Sequence, residues 1–184
     1  MIEGADDPRD AELLARVAGG DVAAMRALYL AHAEPVRRFV RSRLRDESEA
    51  ADIVHETMLS VWRGAAGFQG RSSVRSWIFS LARNKTVDHV RKQARVSLGE
   101  PDETTPGDDP NADDVIAAAQ DARRVRECVG KLSANHRAVV HLAFFEELSY
   151  PEVAAIEGIP EGTVKTRVFH AKKLLMRCLS RLGG

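Results

Sequence analysis

Apolar positions recur at helical spacing along most of the chain, and no long alternating run of β-branched residues marks a strand. Leu13, Leu14 and Val17 share one face of a first short helix over residues 11–18, with Asp10 placed to cap it and Gly19-Gly20 to stop it. Asp21 caps a second helix that turns Met25, Leu28, Tyr29 and Ala33 inward. Pro35 opens a third, with Val36, Phe39, Val40 and Leu44 inward and Arg37, Arg38, Arg41 and Arg43 outward. A fourth helix over 48–66 buries Ile53, Val54, Thr57, Met58, Val61 and Trp62. Beyond a polar loop at 67–73 a fifth runs over 74–95, with Trp77, Ile78, Leu81, Ala82 and Val90 on its core face. Short amphipathic pieces this closely spaced predict a compact helical bundle behind a polar, frayed end at 1–9.

The pattern then breaks. Residues 97–111 hold three prolines, two glycines and five acids, too little apolar surface to fold alone, and read as a linker. Fully extended, such a stretch reaches on the order of 50 Å. Helical periodicity resumes near Ala112, with Val115, Ile116, Ala119, Val125 and Val129 inward. Ser133 caps a helix through Val139, Val140, Leu142, Ala143 and Phe144, and Glu146-Glu147 end it in solvent. Val153 and Ile156 face inward from a short helix, Gly158 supplies the positive φ of a tight reversal, and Pro160 suits the first turn of the next helix. There Val164, Val168, Ala171, Leu174 and Leu175 continue the apolar stripe, while Lys165, Arg167, His170, Lys172 and Lys173 take the opposite face. This is the layout of a helix-turn-helix, whose second helix enters the DNA major groove.

Charge sharpens that reading. Beyond Glu161 no acid remains, whereas a merely solvated helix mixes signs to gain i, i+4 pairs. The net charge over 184 residues is zero, yet its distribution is uneven. Seven Lys/Arg and one acid occupy 71–95, and eight acids without a Lys or Arg occupy 96–122. Local potential, not the sum, governs nucleic-acid binding. Phe68 and Trp77 beside the cations of the fifth helix could stack on unpaired bases or simply pack in the core. Glu49, Asp52 and Glu56 form an acidic strip, either solvated surface or a dock for a basic partner.

Cys128 and Cys178 lie far apart in no metal-ligand spacing, each within a helical apolar pattern, and read as buried packing groups. No metal cluster, phosphate loop or nucleophile–base spacing occurs, so neither a metal, a cofactor nor a reaction is expected. With no signal peptide, membrane span or lipidation motif found, a cytoplasmic protein without membrane insertion is expected.

Two blocks together resemble the sigma-70 family of bacterial transcription initiation factors, in its extracytoplasmic-function (ECF, group IV) branch. Asp52-Ile-Val-His-Glu-Thr-Met-Leu-Ser-Val-Trp62, continuing through Phe68–Trp77 to Ala82-Arg-Asn84 and Asp88-His-Val-Arg91, is similar to region 2. Leu132-Ser133, Leu148-Ser-Tyr-Pro-Glu-Val-Ala154 and Gly158-Ile-Pro-Glu-Gly-Thr-Val-Lys-Thr-Arg167 are similar to region 4. The resemblance implies an all-α chain of two small helical domains, 1–95 and 112–184, joined by an acidic flexible linker at 96–111. It implies that Asp52, His55, Glu56 and Ser60 dock on the β′ clamp helices of core RNA polymerase. Phe68, Arg71, Ser72, Ser73, Asn84, Lys85 and Asp88 would capture unstacked bases of a −10 element, with Arg91, Lys92 and Arg95 on nearby phosphates. Ser149, Tyr150, Thr163, Lys165, Thr166, Arg167, His170 and Lys173 would read or hold a −35 element, and the second domain would also meet the β flap.

An anti-sigma factor is the expected regulatory partner, and no cofactor is implied. Three positions depart from the usual pattern: His55 replaces a common glutamine, Glu157 an apolar residue and His170 an arginine. Two rival readings are a stand-alone dimeric helix-turn-helix regulator, with 1–95 as a sensor, and an enzyme using Glu146-Glu147 and scattered histidines. The basic, aromatic fifth helix would be an odd ligand pocket for the first, and no catalytic spacing supports the second.

Overall fold

The structure, a computed structural model, describes residues 8–44, 46–96 and 116–182. The described residues form eight α-helices and no strand: α1 Pro8–Ala18, α2 Val22–Arg41, α3 Glu47–Gly64, α4 Val74–Val96, α5 Ile116–Gly130, α6 Ala134–Val140, α7 Tyr150–Glu157 and α8 Glu161–Leu182. A 3-10 turn, Ala65–Gly67, follows α3, and a π-helical turn, His141–Phe145, follows α6. The proposed linker at 97–111 and the expected helix start near Ala112 lie outside the described residues.

Helices α1–α4 make the N-terminal bundle. Leu13, Leu14, Val17, Leu28, Phe39, Ile53, Met58, Val61 and Ile78 are all buried, as their spacing predicted. Asp21 and Asp46 cap α2 and α3 by accepting backbone N–H bonds of their first turns. Asp10 is no cap. It lies inside α1, nearly buried, with Oδ2 2.7 Å from Nε2 of buried His32 on α2.

Nor does Pro35 open a new helix, because α2 runs through it. An interior proline costs a helix about 3 kcal/mol through the missing N–H and the ring clash. Val36, Phe39 and Val40 directly after it are fully buried, at about 1.5–3 kcal/mol each, so tertiary burial outweighs the local penalty. On α4, Val90 is half-exposed instead of inward, while Val74 and Phe79 join the core.

In the C-terminal half α5 and α6 pack on α8, and α7 packs on α8 across the turn. Ser133 caps α6 as expected. Gly158 has φ 63° and Gly158 N–H bonds the Ala154 carbonyl, the left-handed cap that a side chain would strain. Val153, Ile156, Val164, Val168 and Ala171 are buried, but Val125, Phe144 and Leu174 are exposed. Val125 and Leu174 hold helical register with the core without reaching it. Phe144 is displaced because the ladder widens to a π turn after Val140.

The two halves do not stand apart. One apolar cluster runs from Phe39, Val74 and Phe79 into Val139, Leu142, Leu148, Val153 and Ile156, with α4 lying against α7. Three sequence expectations fail at this seam. Arg43, expected outward, is nearly buried against Glu157. Glu157, in a position suited to an apolar side chain, is 3% exposed. Glu146, expected to end a helix in solvent, is 1% exposed. Glu147 takes a left-handed backbone (φ 52°) that turns Glu146 inward, at roughly 1–3 kcal/mol of local strain.

The cysteines are not separate packing groups. Cys128 of α5 and Cys178 of α8 form a disulfide that closes a loop across 50 positions. Chain-entropy reasoning makes such a bridge worth roughly 2–4 kcal/mol. Reduction, or Cys128→Ala, should therefore lower the urea midpoint of the C-terminal half by that amount with its slope kept. Equal midpoints with and without reductant would show that packing alone holds α5 to α8.

Candidate nucleic-acid interface

Three surfaces carry the candidate residues. On α3, Asp52, His55 and Glu56 are exposed, and the half-exposed Ser60 hydroxyl bonds the Glu56 carbonyl at 3.0 Å. Beside this strip lies an apolar groove that the periodicity did not foretell, lined by Val22, Met25, Tyr29, Met58, Leu59 and Trp62. Trp62, expected inward, is more than a third exposed. An acidic rim beside an apolar trough suits a partner helix that is basic on one side and apolar on the other.

The second surface is α4 with the loop before it. Asn84, Asp88, Arg91, Lys92 and Arg95 are exposed at positions i, i+4, i+7, i+8 and i+11, one continuous side of the helix. Lys85 is partly buried, with Nζ 3.6 Å from Glu56 Oε2, so it joins the two surfaces. Arg71 and Ser72 are exposed in the loop, where Gly70 has φ 66°. Phe68 packs on Trp77 with ring centroids 5.1 Å apart, which leaves its outer face at the edge of the loop. Arg75 and Arg83, on the polar side of α4, point away from this rim and into the seam with the C-terminal half.

The third surface is α8 with the start of α7. Lys165, Thr166, His170 and Lys173 are exposed on one side of α8, with Thr163 and Arg167 half-buried at its edge. Thr166 donates to the Gly162 carbonyl (2.9 Å) and Lys165 pairs with Glu161 (2.7 Å), a hydrogen bond that raises the lysine pKa. His170 stands edge-on to exposed Phe169, 5.6 Å between centroids. Sequence reading overlooked His136 of α6. Its pKa is lowered first by burial and then by the charges of His170 and Arg167, so the region is electropositive in three dimensions. No signal in the α6 sequence would have placed it there.

The second and third surfaces are wired together. Ser73 Oγ bonds Ser76 Oγ (2.9 Å), Ser76 Oγ donates to Glu152 Oε1 (2.9 Å), and Glu152 Oε2 accepts the Ser149 hydroxyl (2.7 Å) and backbone N–H (2.9 Å). Burial pushes the Glu152 carboxyl up, but the Ser149 and Ser76 bonds outweigh it and hold it below the ordinary carboxylate range. Tyr150 is half-buried beside Ser149. Glu146, fixed in the seam by Arg75 and His141, cannot serve as an acid–base group open to a substrate.

Comparison with known proteins gives the same partition. Residues 28–96 match the family model for sigma-70 region 2, and residues 122–175 match that for sigma-70 region 4. The chain is 34% identical over 183 residues to the ECF RNA polymerase sigma factor SigL of Mycobacterium tuberculosis, covering 92% of this chain and 98% of SigL. It is 33% identical to the ECF sigma factor RpoE of Cereibacter sphaeroides, covering 80% and 82% of the two chains. Among solved structures, RpoE of Bartonella quintana in complex with the anti-sigma factor NepR matches with TM-score 0.70 and 25% identity, covering 86% of this chain and 98% of that one. CnrH in complex with the cytosolic domain of CnrY matches with TM-score 0.66 and 26% identity, covering 94% and 98%. An acidic polymerase-facing strip, a basic rim on α4 and a helix-turn-helix thus lie on one chain of this ancestry, and the protein belongs to the ECF sigma factors of the sigma-70 family.

Proposed function

We propose that the domain of residues 1–95 docks on the β′ clamp helices of core RNA polymerase through Asp52, His55, Glu56 and Ser60, and that its α4 rim opens and reads the −10 element. Asn84 and Asp88 offer hydrogen-bonding groups to base edges, Phe68 a stacking face, and Arg91, Lys92 and Arg95 phosphate contacts. The domain of residues 112–184 places α8 in the major groove of the −35 element. There Lys165, Thr166 and His170 face base edges, while Thr163, Arg167, Lys173 and the Ser149–Tyr150 end of α7 meet phosphates.

One observation carries this reading: two separate nucleic-acid rims, the exposed α4 stripe 84–95 and the exposed side of α8, lie on one chain. A stand-alone regulator needs only the second. The factor supplies specificity to an enzyme and has no reaction of its own, acting in the bacterial cytoplasm where polymerase works. Its apolar groove on α2 and α3 and its neighbours' partners favour control by an anti-sigma factor.

Reconstitution with bacterial core RNA polymerase and a genomic promoter library should yield transcripts whose start sites share a pair of upstream motifs. Folded protein that neither co-elutes with core enzyme nor directs a transcript would overturn the reading. Within the −35 surface, His170→Ala should change base preference at one or two positions. Lys173→Ala should weaken binding evenly across sequences and lower the salt slope by about 1. Identical preference profiles for wild type and His170→Ala would remove His170 from the base-reading set.

A further inference from the structure

The seam between the halves is polar where a permanent domain contact would be apolar. Glu146 sits in it with its carboxylate paired to Arg75 of α4, 3.2 Å from His141 Nε2 and 3.9 Å from Arg38 of α2. Glu157 pairs with Arg43, just past the end of α2, and its backbone carbonyl accepts Arg83 Nη2 at 2.9 Å. Glu152 takes the Ser76 hydroxyl from the same face of α4. Every acid comes from the C-terminal half, and apart from His141 every donor to it across the seam comes from the N-terminal bundle. The arginines are also stacked in place: Arg43 lies 5.6 Å over the Phe39 ring and Arg75 6.0 Å over Phe79.

This closed arrangement does not fit a promoter. The two elements lie about 25 base pairs apart, on the order of 85 Å of duplex. A compact chain of this length has a radius of gyration of about 16 Å and is roughly 40 Å across. Ser73 of the −10 surface and Ser149 of the −35 surface are here joined through Ser76 and Glu152. The halves must part before both rims can be used.

We propose that Glu146 and Glu157 are the acceptors of an intramolecular latch, with Arg75 and Arg43 as its donors, that holds the free factor closed and keeps it from promoters until polymerase draws the halves apart. The inference rests on the sigma assignment for its consequence but not for its geometry. The latch is built to release. A buried ion pair gains little net stability because each partner forfeits hydration, and on separation all four charges regain water together. An apolar residue at position 157, the pattern from which this chain departs, would have no such way out. The strained backbone at Glu147 fits a turn held for this contact, since it aims Glu146 at Arg75.

Small-angle scattering of the wild-type full chain is the first test, and it needs no polymerase. A particle with a radius of gyration near the compact value of about 16 Å is expected, and an extended wild type would overturn the latch outright. Arg43→Glu and Glu157→Arg, each with helix content unchanged by circular dichroism, should enlarge the particle, and the double reversal should return it to the wild-type size. In reconstituted transcription each single reversal should lower the factor concentration for half-maximal output by roughly threefold or more, since a larger fraction starts open. Singles that scatter and transcribe like wild type would sink the proposal. A variant that loses helix content is replaced by Glu146→Gln judged on the same two readouts. If no protein directs any transcript, the sigma assignment fails while the scattering still decides the latch.

Discussion

The arrangement of the whole molecule depends on one contact, the laying of α4 against α7. It joins two small helical units into one continuous core, and it fixes where the candidate surfaces sit relative to each other. The contact is made of two unlike materials. Apolar groups such as Phe79, Leu148 and Val153 provide a non-directional attraction proportional to the area they bury. The carboxylates set the register, because Glu146, Glu152 and Glu157 each reach one defined donor across the seam. Burial pushes the Glu146 carboxyl up, but the His141 and Arg75 contacts outweigh it and keep it below its ordinary value of 4.5, so it stays charged at neutral pH.

Function follows from what that contact leaves outside. The α4 stripe from Asn84 to Arg95 remains open along its length, and so does the Lys165–Lys173 side of α8. The groove of α2 and α3, with the acids of α3 at its edge, is a third open face. Each lies on a helix whose opposite side is locked in the core, so the side chains are carried on rigid supports and not on loops. That suits recognition elements that must present several groups at once.

Much of this was legible in the chain, and the reasons for the rest are physical. Helix existence and most inward faces were readable because burial imposes the 3.6-residue period, as for Leu13, Leu14 and Val17 or Val164, Val168 and Ala171. The αL turn at Gly158 was readable because few other residues take that backbone cheaply. What failed depended on partners distant in sequence. Pro35 marks a helix start locally, and only the packing of Val36, Phe39 and Val40 carries α2 through it. Asp10 has the chemistry of a cap until His32 arrives from the next helix. Glu146 and Arg43 look solvated because each is polar, and nothing near either in sequence announces a partner about 30 to 110 positions away.

The bridge between Cys128 and Cys178 also decides how the C-terminal half bears mechanical load. It ties the end of α5 to the far end of α8, so tension arriving from the chain ahead of α5 reaches α8 through a covalent bond. Without it, the same pull would first peel α5 from its neighbours, since Leu132, Val140, Ala171 and Leu175 make only a small separate cluster there. With it, the half moves as one block, and displacement is concentrated at the seam with the N-terminal bundle. A pull on the joining segment is thereby converted into rotation of the recognition helix as a unit.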